Sequence, residues 1–235
     1  MSIFNRIISA IPNTITSLNL VSGCVSIFMA FHLNDTFGPL SGKYWAMIAM
    51  AAAALFDFLD GASARLLKKF SPLGADLDSL SDMVSFGVAP AMLVLNVMLD
   101  RGTLVWPAFA ALLIPVFGAL RLAKFNIDTT QSTVFRGLPI PANAIFWIGV
   151  VGWIDSYFYP GWLPMLALIA FMCWAMVGNF KMFSLKMKNF NFHENFIRYV
   201  LVVAAIIFVV VYGLSGFAWT VLLYFLLSFL RQSRI

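Results

Sequence analysis

Charged residues are scarce in this sequence. Only 11% of the 235 residues are Asp, Glu, Lys or Arg, whereas 62% are hydrophobic and the mean hydropathy is +0.91. A soluble domain carries about 25% charged residues, because polar side chains have to cover its core. The scarcity excludes a soluble globular protein, a disordered chain and a free nucleic-acid binder, although the pI is near 9.4. The composition therefore predicts an integral membrane protein.

Cysteine and histidine are scarce as well, with two residues of each. Cys24 and Cys173 lie within hydrophobic segments, which argues against a disulfide framework and favours a packing role. His32 and His193 have no neighbours at metal-ligand spacing. The sequence thus contains no pattern typical of a zinc site.

Long hydrophobic runs are abundant, and they predict an all-α fold, a polytopic membrane helix bundle. A membrane helix needs roughly 20 mostly apolar residues. Eight segments are predicted to span the membrane: 12–33, 44–66, 72–99, 104–126, 139–158, 161–181, 196–212 and 216–230. Residues 1–11 place isoleucines on one helical stripe and end before Pro12, which predicts a short interfacial helix.

The basic residues predict the orientation of these spans. An even number of spans puts both termini on one side of the membrane, and 13 of the 15 Lys and Arg residues fall there: Arg6, Arg65, Lys68, Lys69, Arg121, Lys124, Arg136, Lys181, Lys186, Lys188, Arg198, Arg231 and Arg234. Only Lys43 and Arg101 fall on the other side. Because basic residues are retained on the cytoplasmic side, both termini are expected in the cytoplasm.

Half of the ten acidic residues crowd into residues 57–82. These are Asp57, Asp60, Asp76, Asp78 and Asp82. At 100° per residue the first two share one face of span 2, and the last two form a row on one face of span 3. Asp76 is expected to face water near the start of that helix. Two antiparallel helices joined by a short turn can therefore bring four carboxylates together.

A divalent metal site is the interpretation that best accounts for these four carboxylates. Each aspartate at the centre of a membrane helix costs about 2.5 to 3.5 kcal/mol, and like charges also repel. Oxygen ligands alone predict Mg²⁺, Mn²⁺ or Ca²⁺ rather than zinc. Ion pairs with Arg65, Lys68 and Lys69, or a solvated helix end, would account for one or two of the acids. Two such ions can hold a diphosphate during an in-line displacement.

The same stretch carries a known signature. Asp57-x-x-Asp60-Gly61-x-x-Ala64-Arg65, followed after eight residues by Gly74-x-x-x-Asp78-x-x-x-Asp82, resembles the motif of the CDP-alcohol phosphatidyltransferase family. All eight fixed positions match across 26 residues, and the arrangement of many membrane spans is also similar to the family. The resemblance implies transfer of a phosphatidyl group from CDP-diacylglycerol to an alcohol, with release of CMP.

The resemblance also implies roles for individual residues. Asp57, Asp60 and Asp78 would bind two Mg²⁺ or Mn²⁺ ions, and Asp82 would contact the metal and take the proton from the attacking hydroxyl. Residues expected at the CDP-lipid are Asn13, Thr16, Gly61, Ala64, Arg65 and Gly74. Asn13 and Thr16 have an alternative interpretation as an ordinary helix cap. The family further implies a homodimer, although no helix face in the sequence marks one.

The acceptor is implied by three further segments, 82–91, 121–126 and 135–142, which resemble the branch of the family that uses L-serine. The residues expected at serine are Ser85, Arg121, Lys124, Asn126 and Arg136. The basic side chains Arg121, Lys124 and Arg136 could bind the serine carboxylate. The positive-inside rule alone would also explain why they lie on this side of the membrane. A single domain over residues 1–235 is predicted, with the metal and nucleotide site in 12–99 and the acceptor pocket in 104–230.

Two competing functions stay open at this point. A sister enzyme would use glycerol 3-phosphate, inositol phosphate or choline, and the three basic residues do not exclude it. A cation transporter would also place acids in membrane helices. However, a transport path needs polar groups near the midplane, whereas the five clustered acids lie at one end of spans 2 and 3.

Overall fold

The structure is a computed structural model that describes residues 3–67, 71–127, 134–183 and 191–231. The helices in these residues are α1 Ile3–Ala30, α2 Gly42–Leu67, α3 Pro72–Asp82, α4 Ala89–Asp100, α5 Val105–Ala108, α6 Leu113–Ile127, α7 Ile140–Ser156, α8 Trp162–Val177, α9 Phe192–Tyr212 and α10 Gly216–Arg231. A π-helix, Met83–Val88, joins α3 to α4, and 3₁₀-helices occupy Phe109–Leu112 and Gly213–Ser215. The strands β1 Thr36–Phe37, β2 Leu40–Ser41, β3 Val134–Arg136 and β4 Lys181–Phe183 form two antiparallel pairs.

The apolar helices confirm an all-α membrane protein. Among the described residues, five helical stretches are long and apolar enough to cross a membrane, and α7 and α8 are shorter apolar helices. The predicted count of eight spans is not confirmed, because the five long stretches together with α7 and α8 make seven apolar helical stretches among the described residues. The difference arises at the C-terminal end, where Asn195–Leu230 forms one helical stretch with only a 3₁₀ turn between α9 and α10.

The helix break expected at Pro12 is absent. Helix α1 runs without interruption from Ile3 to Ala30 with Pro12 inside it. Proline lacks an N–H and removes one helical hydrogen bond, but membrane helices tolerate this where other groups satisfy the freed backbone. The described part of the predicted interfacial segment 1–11 is therefore the first part of a long helix rather than a separate element.

The chain divides into two compact units, residues 1–116 and 117–235. In the first unit, α1 packs along α2, and β1 and β2 form the turn between them. The Ser26 hydroxyl of α1 donates to the Ala46 carbonyl of α2 at 2.8 Å. Helix α3, the π-helix and α4 also pack against α1. Helix α1 is therefore the common neighbour of every segment that carries the clustered aspartates.

In the second unit, α7 packs against α10 and against the 3₁₀ turn before it. The contact is close, because a Cβ at Gly149 would overlap the backbone nitrogen of Ala218. Strand β3 leads into α7 through Gly137, which has a φ of +70° and no room for a Cβ beside the Met176 carbonyl. Gly137 therefore lets the start of α7 lie against the end of α8, next to the pairing of β3 with β4, whereas Gly149 lets α7 lie against α10.

Candidate active site

Three aspartate side chains converge where α2 ends and α3 begins. Asp57 and Asp60 lie nearly one turn apart on α2, and Asp78 lies in the second turn of α3. Helix α3 starts as the sequence predicts, because the Ser71 hydroxyl caps it and accepts a hydrogen bond from the Gly74 N–H at 3.0 Å. One carboxylate oxygen from each aspartate lies within 4.8 Å of the others. The helical spacing in the sequence therefore predicted this cluster.

This cluster fits a divalent metal site. Asp60 is only 6% exposed, and Asp57 and Asp78 are partly buried. Three carboxylates at this separation repel one another strongly when they are ionised, and a cation removes that repulsion. Because all the ligands are carboxylate oxygens, the donor set suits a hard ion such as Mg²⁺ or Mn²⁺.

Asp60 is supported by a residue of α1. The Thr16 hydroxyl lies 2.6 Å from Asp60 Oδ2 and 3.0 Å from the Pro12 carbonyl oxygen. A hydroxyl has one proton to donate, and we assign it to the carboxylate, which is the closer and the charged acceptor. The structure therefore places Thr16, which the sequence assigned to the nucleotide, directly behind a candidate metal ligand.

Asp82 lies outside this group of three carboxylates. It is the last residue of α3 and is partly buried, and Asn19 of α1 donates from Nδ2 to its Oδ1 at 3.4 Å. The π-helix begins at the next residue, Met83. Such segments are rare and frequently occur at functional sites. The predicted catalytic base thus stands at a helix junction that faces α1, and its role as a metal ligand stays a prediction.

Four of the six residues expected at the nucleotide form two pairs on α1, α2 and α3. A Cβ at Gly74 would lie 2.9 Å from Asn13 Oδ1, and a Cβ at Gly61 would lie 3.4 Å from an Arg65 guanidinium nitrogen. Arg65 itself is exposed, and Ala64 is partly buried. Because glycine and alanine have small side chains or none, the Asn13 and Arg65 side chains can approach the backbone of α3 and α2 at these positions.

Three of the five residues expected at serine line one basic cavity in the second unit. Arg121 and Lys124 of α6 and Arg136 of β3 surround a cavity of about 260 Å³. Arg121 is 8% exposed, and its guanidinium carbon lies 5.7 Å from the centre of the Phe125 ring. Lys124 Nζ lies 3.4 Å from the Val177 carbonyl oxygen. The cavity can therefore present cationic donors to a small anion or zwitterion.

The remaining two residues expected at serine are placed elsewhere. Ser85 belongs to the first unit, where it is fully buried and its hydroxyl donates to the Asn19 carbonyl at 3.0 Å. Asn126 is exposed and does not line the basic cavity. Ser85 thus serves the packing of the π-helix on α1 in this structure.

Sequence reasoning missed two features of the site, Asn19 and the π-helix. Asn19 is fully buried and contacts both Asp82 and Ser85. A polar residue in the middle of an apolar span was a usable signal, since such residues seldom face lipid. Nothing in the residues 83–88 marks the change from α-helix to π-helix, so that feature was not available from the sequence.

The comparison with protein families agrees with this geometry. A family model described as CDP-alcohol phosphatidyltransferase matches residues 9–179, which include most of α1, the aspartate cluster and the residues of the basic cavity. The chain belongs to the CDP-alcohol phosphatidyltransferase family. Divalent-metal dependence is general in this family, in agreement with the aspartate cluster.

Curated relatives carry more specific names. A Mycobacterium leprae protein named CDP-diacylglycerol–serine O-phosphatidyltransferase is 39% identical over 160 residues, which cover 65% of this chain and 49% of the relative. A Methanocaldococcus jannaschii protein of the same name is 38% identical over 152 residues, 65% of each chain. An archaetidylserine synthase of Methanothermobacter thermautotrophicus is 40% identical over 141 residues, 58% of this chain and 55% of the relative. The matched segments thus span between about half and two thirds of these relatives.

Proposed function

We propose that this protein transfers the phosphatidyl group of CDP-diacylglycerol to the hydroxyl of L-serine and releases CMP. The observation that carries the proposal is the convergence of Asp57, Asp60 and Asp78 within 4.8 Å, at the signature positions of the family. The names of the curated relatives support serine as the acceptor.

The aspartate cluster and its neighbours bind the donor. Asp57, Asp60 and Asp78 would hold two divalent ions, which would supply positive charge to the diphosphate during an in-line displacement. Arg65 holds the diphosphate through charge-assisted hydrogen bonds. The Gly61, Ala64 and Gly74 positions leave room for the nucleotide beside the backbone, and Asn13 contacts it.

Asp82 acts as the general base of the reaction. It accepts the proton of the serine hydroxyl while the serine oxygen forms a bond to the β-phosphorus of CDP-diacylglycerol. The bond from that phosphorus to the bridging oxygen breaks, and CMP leaves with the electron pair. A base within hydrogen-bond reach of the attacking hydroxyl is the requirement for this step.

The basic cavity binds the acceptor in this proposal. The serine carboxylate requires a cation, and Arg121, Lys124 and Arg136 provide three around one cavity. The burial of Arg121 strengthens its interaction with an anion, because little water competes for the guanidinium.

The membrane arrangement that fits this chemistry has eight spans and cytoplasmic termini. The 3₁₀ turn at Gly213–Ser215 supports a separation of α9 from α10, since Gly213 has a φ of +61°. A Cβ at Gly216 would overlap the backbone of Phe208, so α10 folds back closely on α9. The distribution of basic residues supports the orientation, with serine and CMP exchanging at the cytoplasmic face. The homodimer implied by the family remains part of the proposal.

The proposal is tested by CMP release from the purified full-length chain in detergent or lipid nanodiscs. We expect release that requires both L-serine and Mg²⁺ or Mn²⁺, with phosphatidylserine identified as the product by mass spectrometry. Release with glycerol 3-phosphate or inositol phosphate in place of serine would refute the acceptor and favour a sister enzyme. Absence of release with any alcohol would refute the enzyme and leave the cation transporter.

Two further measurements refine the test. Asp82→Asn should retain binding of the CDP-lipid but lose turnover, and turnover like that of the wild type would refute the role as base. The archaetidylserine synthase among the relatives makes an ether-linked CDP-lipid the alternative donor. Parallel assays with the ester and ether donors decide between them.

A further inference from the structure

Helix α1 presents a row of small and polar residues to the aspartate-bearing segments. Thr16, Asn19 and Gly23 lie three and four residues apart and therefore share one face of the helix. Thr16 contacts Asp60, and Asn19 contacts Asp82. These two contacts bring neutral hydrogen-bond donors to acidic residues on two different helices.

The backbone of α1 is held firmly at Asn19. The Ser85 hydroxyl of the π-helix donates to the Asn19 carbonyl at 3.0 Å, and both residues are fully buried. The two segments come this close because Gly23 has no side chain, since a Cβ there would overlap Ser85 Oγ. The Asn19 side chain therefore extends toward Asp82 from a closely packed part of α1 and not from a loop.

The nitrogen of the Asn19 side-chain amide has a hydrogen-bond partner among the described residues, but the oxygen has none. Asn19 Nδ2 donates to Asp82 Oδ1, whereas Asn19 Oδ1 is buried and has no hydrogen-bond partner among the described residues. A buried acceptor without a partner costs stability, and a hydrophobic side chain of similar shape avoids that cost. Folding alone therefore does not account for an amide at position 19, and within the described part of the chain its side chain donates to Asp82.

We infer that Asn19 is a positioning residue for Asp82: it fixes the carboxylate that takes the proton of the acceptor alcohol. The inference rests on the proposed function of this site. The separation of 3.4 Å is long for a hydrogen bond, as contacts of catalytic groups often are before substrate binds. When the acceptor is bound, the Nδ2 donor keeps the Asp82 carboxylate in the orientation in which it can accept the hydroxyl proton.

The test compares Asn19→Leu and Asn19→Ala with the wild-type chain. Leucine keeps the branched shape and alanine avoids overpacking, so at least one variant should fold. We expect kcat to fall 10- to 100-fold in both, with KM for the CDP-lipid changed less than twofold. The melting temperature of the metal-free protein should stay the same or rise for Asn19→Leu, because the unsatisfied oxygen is gone.

Asn96→Leu is the matched control, because the Asn96 amide donates within its own helix, to the Met92 carbonyl at 2.8 Å, and to no other group that the structure describes. A kcat within twofold of wild type in either folded Asn19 variant would overturn the inference. So would a fall in melting temperature of both Asn19 variants, beyond that of the control, which would indicate a purely structural role.

The acceptor used in this comparison is whichever alcohol the wild-type chain accepts. Failure of serine alone therefore refutes the proposed acceptor and leaves the comparison of Asn19 variants valid. A wild-type chain inactive with every alcohol would overturn the inference together with the proposed function.

Discussion

The contact between Thr16 and Asp60 gives a quantitative prediction for metal binding. The variant is Thr16→Val, which keeps the branched shape of the side chain and removes the hydroxyl. That hydroxyl lies 2.6 Å from Asp60 Oδ2, and both residues are buried, at 3% and 6% exposure. A hydrogen bond to a charged group contributes about 1.5 to 3 kcal/mol. We therefore expect the concentration of Mg²⁺ needed for half-maximal activity to rise about 10- to 100-fold.

The physical reason is the loss of orientation of the carboxylate. Asp60 without the Thr16 hydroxyl is held less firmly, and the lone pairs that face the ion are then less well oriented. The assay is a Mg²⁺ titration of CMP release at saturating CDP-lipid and acceptor. Excess Mg²⁺ should restore most of the maximal rate, because the three carboxylates remain in place.

Two controls separate this effect from a general disturbance of α1. Thr16→Ser keeps the hydroxyl and should titrate like the wild type. Thr14→Val removes an exposed hydroxyl that donates to the Ala10 carbonyl of its own helix, at 3.0 Å, and should also leave the titration unchanged. A titration midpoint for Thr16→Val within twofold of wild type would refute the assigned support of Asp60.

Two further predictions concern the second unit. Arg121→Gln should raise KM for serine about 10-fold or more without changing KM for the CDP-lipid, because a charge-assisted hydrogen bond is lost in the basic cavity. Steady-state kinetics measure both constants, with Lys181→Gln as a control outside the cavity. An unchanged KM for serine would contradict the prediction. Gly149→Ala should lower stability by about 1 to 3 kcal/mol, because the new methyl group overlaps the backbone of Ala218. A thermal melt measures this change, and an unaltered melting temperature would contradict the close contact of α7 with α10.

The aspartate cluster was predictable because helical geometry is local. Residues four apart on a helix share a face whatever the rest of the protein does, so Asp78 and Asp82 could be assigned to one row. The turn at Ser71-Pro72 was equally local, since capping and proline geometry depend on a few adjacent residues. These two signals predicted that Asp57, Asp60, Asp78 and Asp82 converge, and the structure brings the first three together.

The contribution of α1 was not predictable in the same way. Contacts of Thr16 and Asn19 depend on how α1 rotates against its neighbours, and helix rotation leaves no periodic signal in a chain that is apolar on nearly every face. The continuity of α1 through Pro12 was missed for a related reason. The rule that proline ends a helix is derived from water, where a freed carbonyl has an easy alternative partner, whereas in a membrane the helix remains the best arrangement for the backbone.

The choice of residues on α1 follows from the charge of the site. Residues 7–31 contain no acidic or basic side chain, and the groups that α1 offers to Asp60 and Asp82 are a hydroxyl and an amide. A lysine or arginine there would form an ion pair and cancel the negative charge that attracts a divalent cation. A neutral donor instead orients a carboxylate and leaves its charge available. An apolar helix with a few neutral donors therefore suits a metal site near the membrane better than a basic helix, which would stabilise the aspartates and abolish their affinity for the ion.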